Sequence, residues 1–208
     1  MMISHNGIKR LFIFLFLLSV GCTYTLTGVD NRHISTYKEK EQGYERVFIN
    51  DKLSDDYDGI IVQYFPCNDN YLQASDDALL SYLDRKSCFL YRTIPNQVSR
   101  YLRERNTFKT IVVTDEIDSV DPRQLILKAR LDRILLQNRE DKISPHSDMV
   151  DVTYEIEGEL ADAITGRLIA KFKHLRTLPL QKRMLKEGII AGGNIVAEDI
   201  ARFIMRIY

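Results

Sequence analysis

The sequence predicts an α+β fold in two layers: a mainly antiparallel sheet of about five strands with helices on one face. Three observations carry this prediction. Residues 125–131, 150–160 and 168–174 alternate between apolar and charged side chains, as strands do when one face of a sheet is wet. Apolar residues at helical spacing recur at 94–102 and 195–207 and supply stripes that cover the dry face. The order of elements is one strand, a helix pair, four strands and a closing helix, which separates α+β from a doubly wound fold.

Each element has its own local reason. Gly59 to Phe65, β-branched and aromatic and stopped by Pro66, is the first strand. Ser75 or Asp76 caps a short helix with Ala78, Leu79, Tyr82 and Leu83 on one side. A longer helix follows, with Pro95 in its first turn, a stripe of Ile94, Val98, Tyr101 and Leu102, and an end near Asn106. The second strand is Phe108 to Thr114, and the third runs from Leu125 to Leu131. In the fourth, Val150 to Leu160, even positions are mostly apolar and odd ones polar; the fifth is Leu168 to His174.

Ile164-Thr165-Gly166 fits a three-residue hairpin loop with Gly166 in the left-handed position. That loop sets Glu159 opposite Lys171, Glu157 opposite Lys173 and Leu160 opposite Ala170, whereas a loop one residue shorter brings acids beside Phe172. Asn194 caps the closing helix, whose stripe is Ile195, Val196, Ile200, Phe203, Ile204 and Ile207.

The 208 residues are 45% hydrophobic and 28% charged, which suits one ordinary domain. Lys and Arg number 29 against 29 Asp and Glu, so no global basic field invites a nucleic acid, and none is expected as a partner. Three cysteines are too few for a disulfide-built scaffold. At the amino terminus Lys9 and Arg10 precede the apolar run Leu11 to Leu18, which closes on Ser19-Val20-Gly21-Cys22 and then Thr23-Tyr24-Thr25. This is the order of a secretory signal, and the run is too short for a permanent span.

Leu18-Ser19-Val20-Gly21-Cys22 resembles the lipobox of bacterial lipoproteins, with Ser19 where that family usually has Leu, Val or Ile. The resemblance implies cleavage before Cys22, acylation of Cys22 as a membrane anchor, and, with Thr23 rather than Asp following, an outer-membrane destination facing the periplasm. With the charged, aperiodic stretch 23–57 reading as a tether by composition, the chain divides into a signal at 1–21, a lipidated cysteine and flexible tether at 22–57, and a periplasmic domain at 58–208. Tyr44 to Ile49 has the composition of a short strand, which softens that last boundary. In an oxidising periplasm the remaining Cys67 and Cys88 read either as one disulfide or as two free thiols; with no neighbouring His they make a poor metal site. In element order, 58–208 resembles the small periplasmic domains grouped around the TolB amino-terminal fold. That resemblance implies a non-enzymatic adaptor.

No catalytic motif stands out, and neither a cofactor nor a metal is expected. His146-Ser147-Asp148 reads as a solvated turn, and Glu155, Glu157 and Glu159 as an ion-paired face. Gly188 to Asn194 reads as a hinge or cap before the last helix. Residues 140–162 hold eight acids and one base, while 167–208 hold nine bases and three acids. From the basic half, Arg176, Lys182, Arg183 and Lys186 are the candidates for contact with an acidic partner or lipid headgroups. The leading expectation is a lipid-anchored adaptor in an envelope complex with an unknown protein partner. The alternative is an accessory lipoprotein of a lipid or envelope transporter that holds an apolar ligand.

Overall fold

The computed structural model describes residues 36–40, 43–48, 52–81, 83, 88, 90–117, 119–139 and 148–208. The signal run, Cys22, His146 and Ser147 lie outside these. In chain order the elements are β1 (Thr36–Lys40), β2 (Gly43–Val47), α1 (Leu53–Asp56), β3 (Gly59–Gln63), β4 (Leu72–Ala74), α2 (Asp77–Leu80), α3 (Leu90–Glu104), β5 (Thr110–Thr114), β6 (Gln124–Asn138), β7 (Met149–Asp162), β8 (Leu168–Gln181), a 3-10 turn (Lys182–Met184) and α4 (Leu185–Ile207).

The sheet is larger and less uniform than the five antiparallel strands expected. Among the described residues it has eight strands, seven in the order β1-β2-β8-β7-β6-β3-β5, with β4 paired to the far half of β6. β1, β2, β8, β7 and β6 run antiparallel to their neighbours, but β3 is parallel to both β5 and β6, and β4 is parallel to β6. The α2–α3 connection between β3 and β5 is the crossover that parallel pairing requires.

The boundary at residue 58 also moves. β2 pairs with β8 from Gly43↔His174 to Val47↔Ala170, and Leu53 and Tyr57 are buried in the core. Edge docking rests on backbone hydrogen bonds, which demand no apolar period, so most of this stretch reads as tether, while the strand composition noted from Tyr44 onward corresponds to β2. Arg206 on α4 adds an ion pair to Glu45.

The hairpin follows the predicted register, with Leu160↔Ala170, Glu159↔Lys171 and Glu157↔Lys173, and a bulge between Leu160 and Ala161. Gly166 has φ +69°, and the Asp162 carboxylate accepts from the Ile164 and Thr165 amides at 3.0 and 2.7 Å, closing the turn. β6 continues past the predicted Leu131 because Asp132 is the extra residue of a bulge between Leu131 and Arg133. The bulge shifts the inward phase from Leu125, Leu127, Ala129 and Leu131 to Ile134 and Leu136. β8 runs on to Gln181 through Pro179, which is tolerated because β2 pairs only with Ala170 to His174 of the Ala170–Gln181 stretch.

α3 starts five residues before its proline, which places Pro95 in the second turn rather than the first. Pro95 has no N–H for the Tyr91 carbonyl, and that carbonyl instead accepts from the Phe65 N–H at 3.1 Å, tying the helix to the end of β3. Asn106, φ +49°, ends the helix as expected, with the Thr107 N–H on the Leu102 carbonyl at 3.1 Å. Cys67 and Cys88 form a disulfide with Cα atoms 6.1 Å apart. Closing that loop contributes roughly 3 kcal/mol through the unfolded chain.

The Gly-rich stretch is neither hinge nor cap, since α4 begins at Leu185 and contains it. Tyr154 of β7, fully buried, donates to the Ile189 carbonyl at 2.9 Å, directly below Gly192. A methyl group at Gly192 would sit 2.7 Å from Tyr154 Cζ, one at Gly188 2.9 Å from Leu180 Cδ1, and one at Gly193 2.9 Å from Leu90 Cδ2. The glycines let α4 lie close to the sheet on one side and to α3 on the other.

Candidate interaction surface

α3 and α4 bury one side of the sheet, and the other side carries its charges. Across the middle of β6, β7 and β8 the side chains form a ladder. Arg130 bonds Asp132 at 2.5 Å and Glu157 at 3.3 Å, Arg133 bonds Glu155 at 2.7 Å, and Lys173 bridges Glu155 and Glu157. Burial alone would raise the Glu155 carboxyl, but Lys173 and Arg133 outweigh it and hold it below its ordinary range. The three glutamates expected on one sheet face are therefore there, two of them held in ion pairs. A depression of about 370 Å³ lies among Lys128, Arg130, Glu157, Glu159 and Lys171, floored by Ala129, Gly158 and Phe172. It is broad, open and lined by both signs of charge.

The predicted basic set divides. Arg176 lies on the helix side of β8, where it and His174 approach Asp199 of α4 at 3.8 and 3.3 Å. There its guanidinium leans toward α4 while staying partly exposed. Lys182, Arg183 and Lys186 do come together, on the 3-10 turn and the first turn of α4. Lys182 is half-buried and its N–H reaches the Asp148 carbonyl at 2.9 Å; Arg183 and Lys186 are exposed. Arg183 holds Gln181 Oε1 at 3.0 Å, and none of the three is ion-paired to a described residue. Asp148, proposed as part of a solvated turn, contributes its backbone to this corner.

Asp199 was not foreseen as a site, because its partners are 23 and 25 residues away in sequence and meet it only through packing. Burial would raise its carboxyl, yet His174, Arg176 and Arg202 hold it below its ordinary value. A carboxyl depressed in the folded state adds stability above its unfolded pKa and loses it as pH falls through the folded value. Below about pH 4 the urea midpoint of wild type should therefore fall faster than that of Asp199→Asn, and parallel curves would deny Asp199 this role.

Among the described residues no group of three or more His, Cys, Asp and Glu is placed to hold a metal, and no helix is long and apolar enough to cross a membrane. No family model matches the chain, and no curated protein matches it. Solved structures do. Protein XCC0632 of Xanthomonas campestris, from family DUF330, is 8% identical over 72% of this chain and 84% of its own, with a TM-score of 0.51. At that identity the likeness is one of fold. The PelC dodecamer of Paraburkholderia phytofirmans is 11% identical over 69% of this chain and 86% of its own, TM-score 0.45. A minor lipoprotein of Acinetobacter baumannii is 14% identical over 72% and 89%, TM-score 0.41. At TM-scores below 0.5 neither of these two likenesses carries an argument.

Proposed function

We propose that this chain is a lipoprotein, anchored through Cys22 at the periplasmic face of the outer membrane, whose domain works as a non-enzymatic binding or assembly adaptor in an envelope complex. The observation that carries the adaptor reading is the shape and lining of the open surface. A carrier of apolar ligands needs an apolar groove, and an enzyme needs convergent titratable groups in a cleft. The larger depression described is instead open, with Lys128, Arg130, Glu157, Glu159 and Lys171 around a small apolar floor of Ala129, Gly158 and Phe172, a surface suited to a macromolecular partner. The lipobox-like residues supply the address. The fold likeness is compatible with this reading and says nothing of a partner.

The contact we favour is the corner of Lys182, Arg183 and Lys186, since it combines exposed cations with a position at the junction of β8 and α4. Reversing all three charges to Glu should reduce the yield of crosslinked neighbours in whole cells by about tenfold, with the protein still folded by circular dichroism. Unchanged crosslinking would move the contact elsewhere on the domain.

A further inference from the structure

The two ends of the sheet differ. β1, at one end, is Thr36-Tyr37-Lys38-Glu39-Lys40, and charges of this kind blunt an edge against pairing. β5, at the other end, is Thr110-Ile111-Val112-Val113-Thr114, with no charge at all. Its Val112 is 40% exposed, one of few large apolar side chains left in water. The backbone phase of β5 follows from its parallel pairing with β3. Thr110 N–H reaches the Asp58 carbonyl at 3.3 Å, and the Thr114 carbonyl accepts from Tyr64 N–H at 3.3 Å. Even-numbered residues thus turn their amides and carbonyls toward β3, and those of Ile111 and Val113 point outward. The Ile111 carbonyl accepts from Arg103 Nη2 at 3.0 Å, and among the described residues no strand pairs with this edge.

We propose that this edge pairs with the β5 edge of a second copy, antiparallel and two-fold symmetric about Val112. The argument is self-complementarity. Reversed, the strand reads Thr-Val-Val-Ile-Thr, so pairing about Val112 sets Thr110 on Thr114, Ile111 on Val113 and Val112 on its own copy. Outward-facing Ile111 and Val113 then meet each other, which is the phase that backbone hydrogen bonds require. One step beyond, the same register brings Lys109 opposite Asp115 of the second copy, and Asp115 opposite its Lys109. Within the chain Lys109, largely exposed, pairs with Asp58 at 3.4 Å, and Asp115 accepts from the exposed Tyr91 hydroxyl at 3.4 Å, so the intermolecular pairs would add to or exchange with these surface contacts. Shifting the register by two residues puts Lys109 against Val113 and breaks both ion pairs, so charge and polarity select one pairing. Arg103 keeps its bond, because a carbonyl oxygen has a second lone pair. The pairing uses β5 and its flanks alone and is independent of the anchor.

The test uses the full-length chain with single cysteines added, wild type serving as the blank for Cys22, Cys67 and Cys88. Val112→Cys places the two sulfurs on a non-hydrogen-bonded pair whose Cα atoms stand about 4.5 Å apart, within disulfide reach. Thr110→Cys, on the same face, stands about 13 Å from its copy and out of reach. We expect a reducible dimer from Val112→Cys and at least about fivefold less from Thr110→Cys. Adding Lys109→Glu to Val112→Cys should lower the dimer about fivefold, and adding Asp115→Lys as well should restore it. Absence of the Val112→Cys dimer, equal yield from Thr110→Cys, or no rescue by the charge swap would each overturn the proposal. So would an adduct with the mass of a different protein, which would make the edge a site for a foreign strand.

Discussion

Gly192→Val is expected to cost about 3 kcal/mol of folding stability, a large share of what a domain of this size possesses. The branched side chain has nowhere to go. Even its first carbon would stand 2.7 Å from Tyr154 Cζ and 3.0 Å from Leu178 Cδ1, on a residue that is fully buried. Tyr154 cannot swing aside, since its hydroxyl is bonded to the Ile189 carbonyl within a packed core. The alternative is to lift α4 off β7 and β8, which opens the contact along the whole helix. Ala191→Val, one residue earlier on the exposed side, should cost only the difference in helix propensity, about 0.6 kcal/mol. Chemical denaturation of the two variants beside wild type checks the contrast, and equal losses would mean that crowding at Tyr154 is not the cause. Removing the hydroxyl by Tyr154→Phe in the Gly192→Val background should recover part of the loss, a non-additivity that marks direct contact.

The second large effect concerns location. Cys22→Ala should move the protein from the membrane fraction to the soluble periplasm. Two or more acyl chains hold a protein at a bilayer stably, each buried methylene adding about 0.8 kcal/mol, and no helix of the described residues offers another way in. Wild type should show a mature amino terminus at Cys22 with added acyl mass, absent in the variant. A wild-type chain without that mass, recovered in the soluble fraction, would defeat the lipoprotein reading and leave a periplasmic binding domain.

How far the residues foretell the fold depends on what kind of information each element uses. The β7–β8 register was legible because one loop and a run of opposed charges specify it locally. β6 was legible only to Asp132, where a bulge reverses the inward phase and breaks the alternation that pattern reading follows. β2 and β4 are held by backbone pairing to strands distant in sequence, and β1 by pairing to β2, which leaves no apolar period to detect. The parallel placement of β3 between β5 and β6 depends on how connections cross the sheet, and side-chain pattern is silent on that. Asp76 caps α2 as the sequence indicates, but the starts of α3 and α4 were misplaced. Pro95 and Asn194 look like start signals, yet a spare acceptor at Tyr91 and close sheet packing at Gly192 let each helix run through them. Of the basic candidates, Lys182, Arg183 and Lys186 are near in sequence and stay near in space. Arg176 parts from them because strand alternation turns it toward Asp199.

The way β1 and β2 join the domain bears on mechanics. They form the outermost ribbon of the sheet, attached along β8 from Ala170 to His174, with the main core lying beyond it. Under the proposed anchoring, any pull between membrane and domain reaches this ribbon from the Thr36 side. Local opening of such an edge takes less free energy than global unfolding. The ribbon from Thr36 to Val47 would therefore peel first under load and lengthen the leash by roughly 40 Å while α3, α4 and the remaining strands stay assembled. The domain would then carry a reserve of slack that closes again when tension is released.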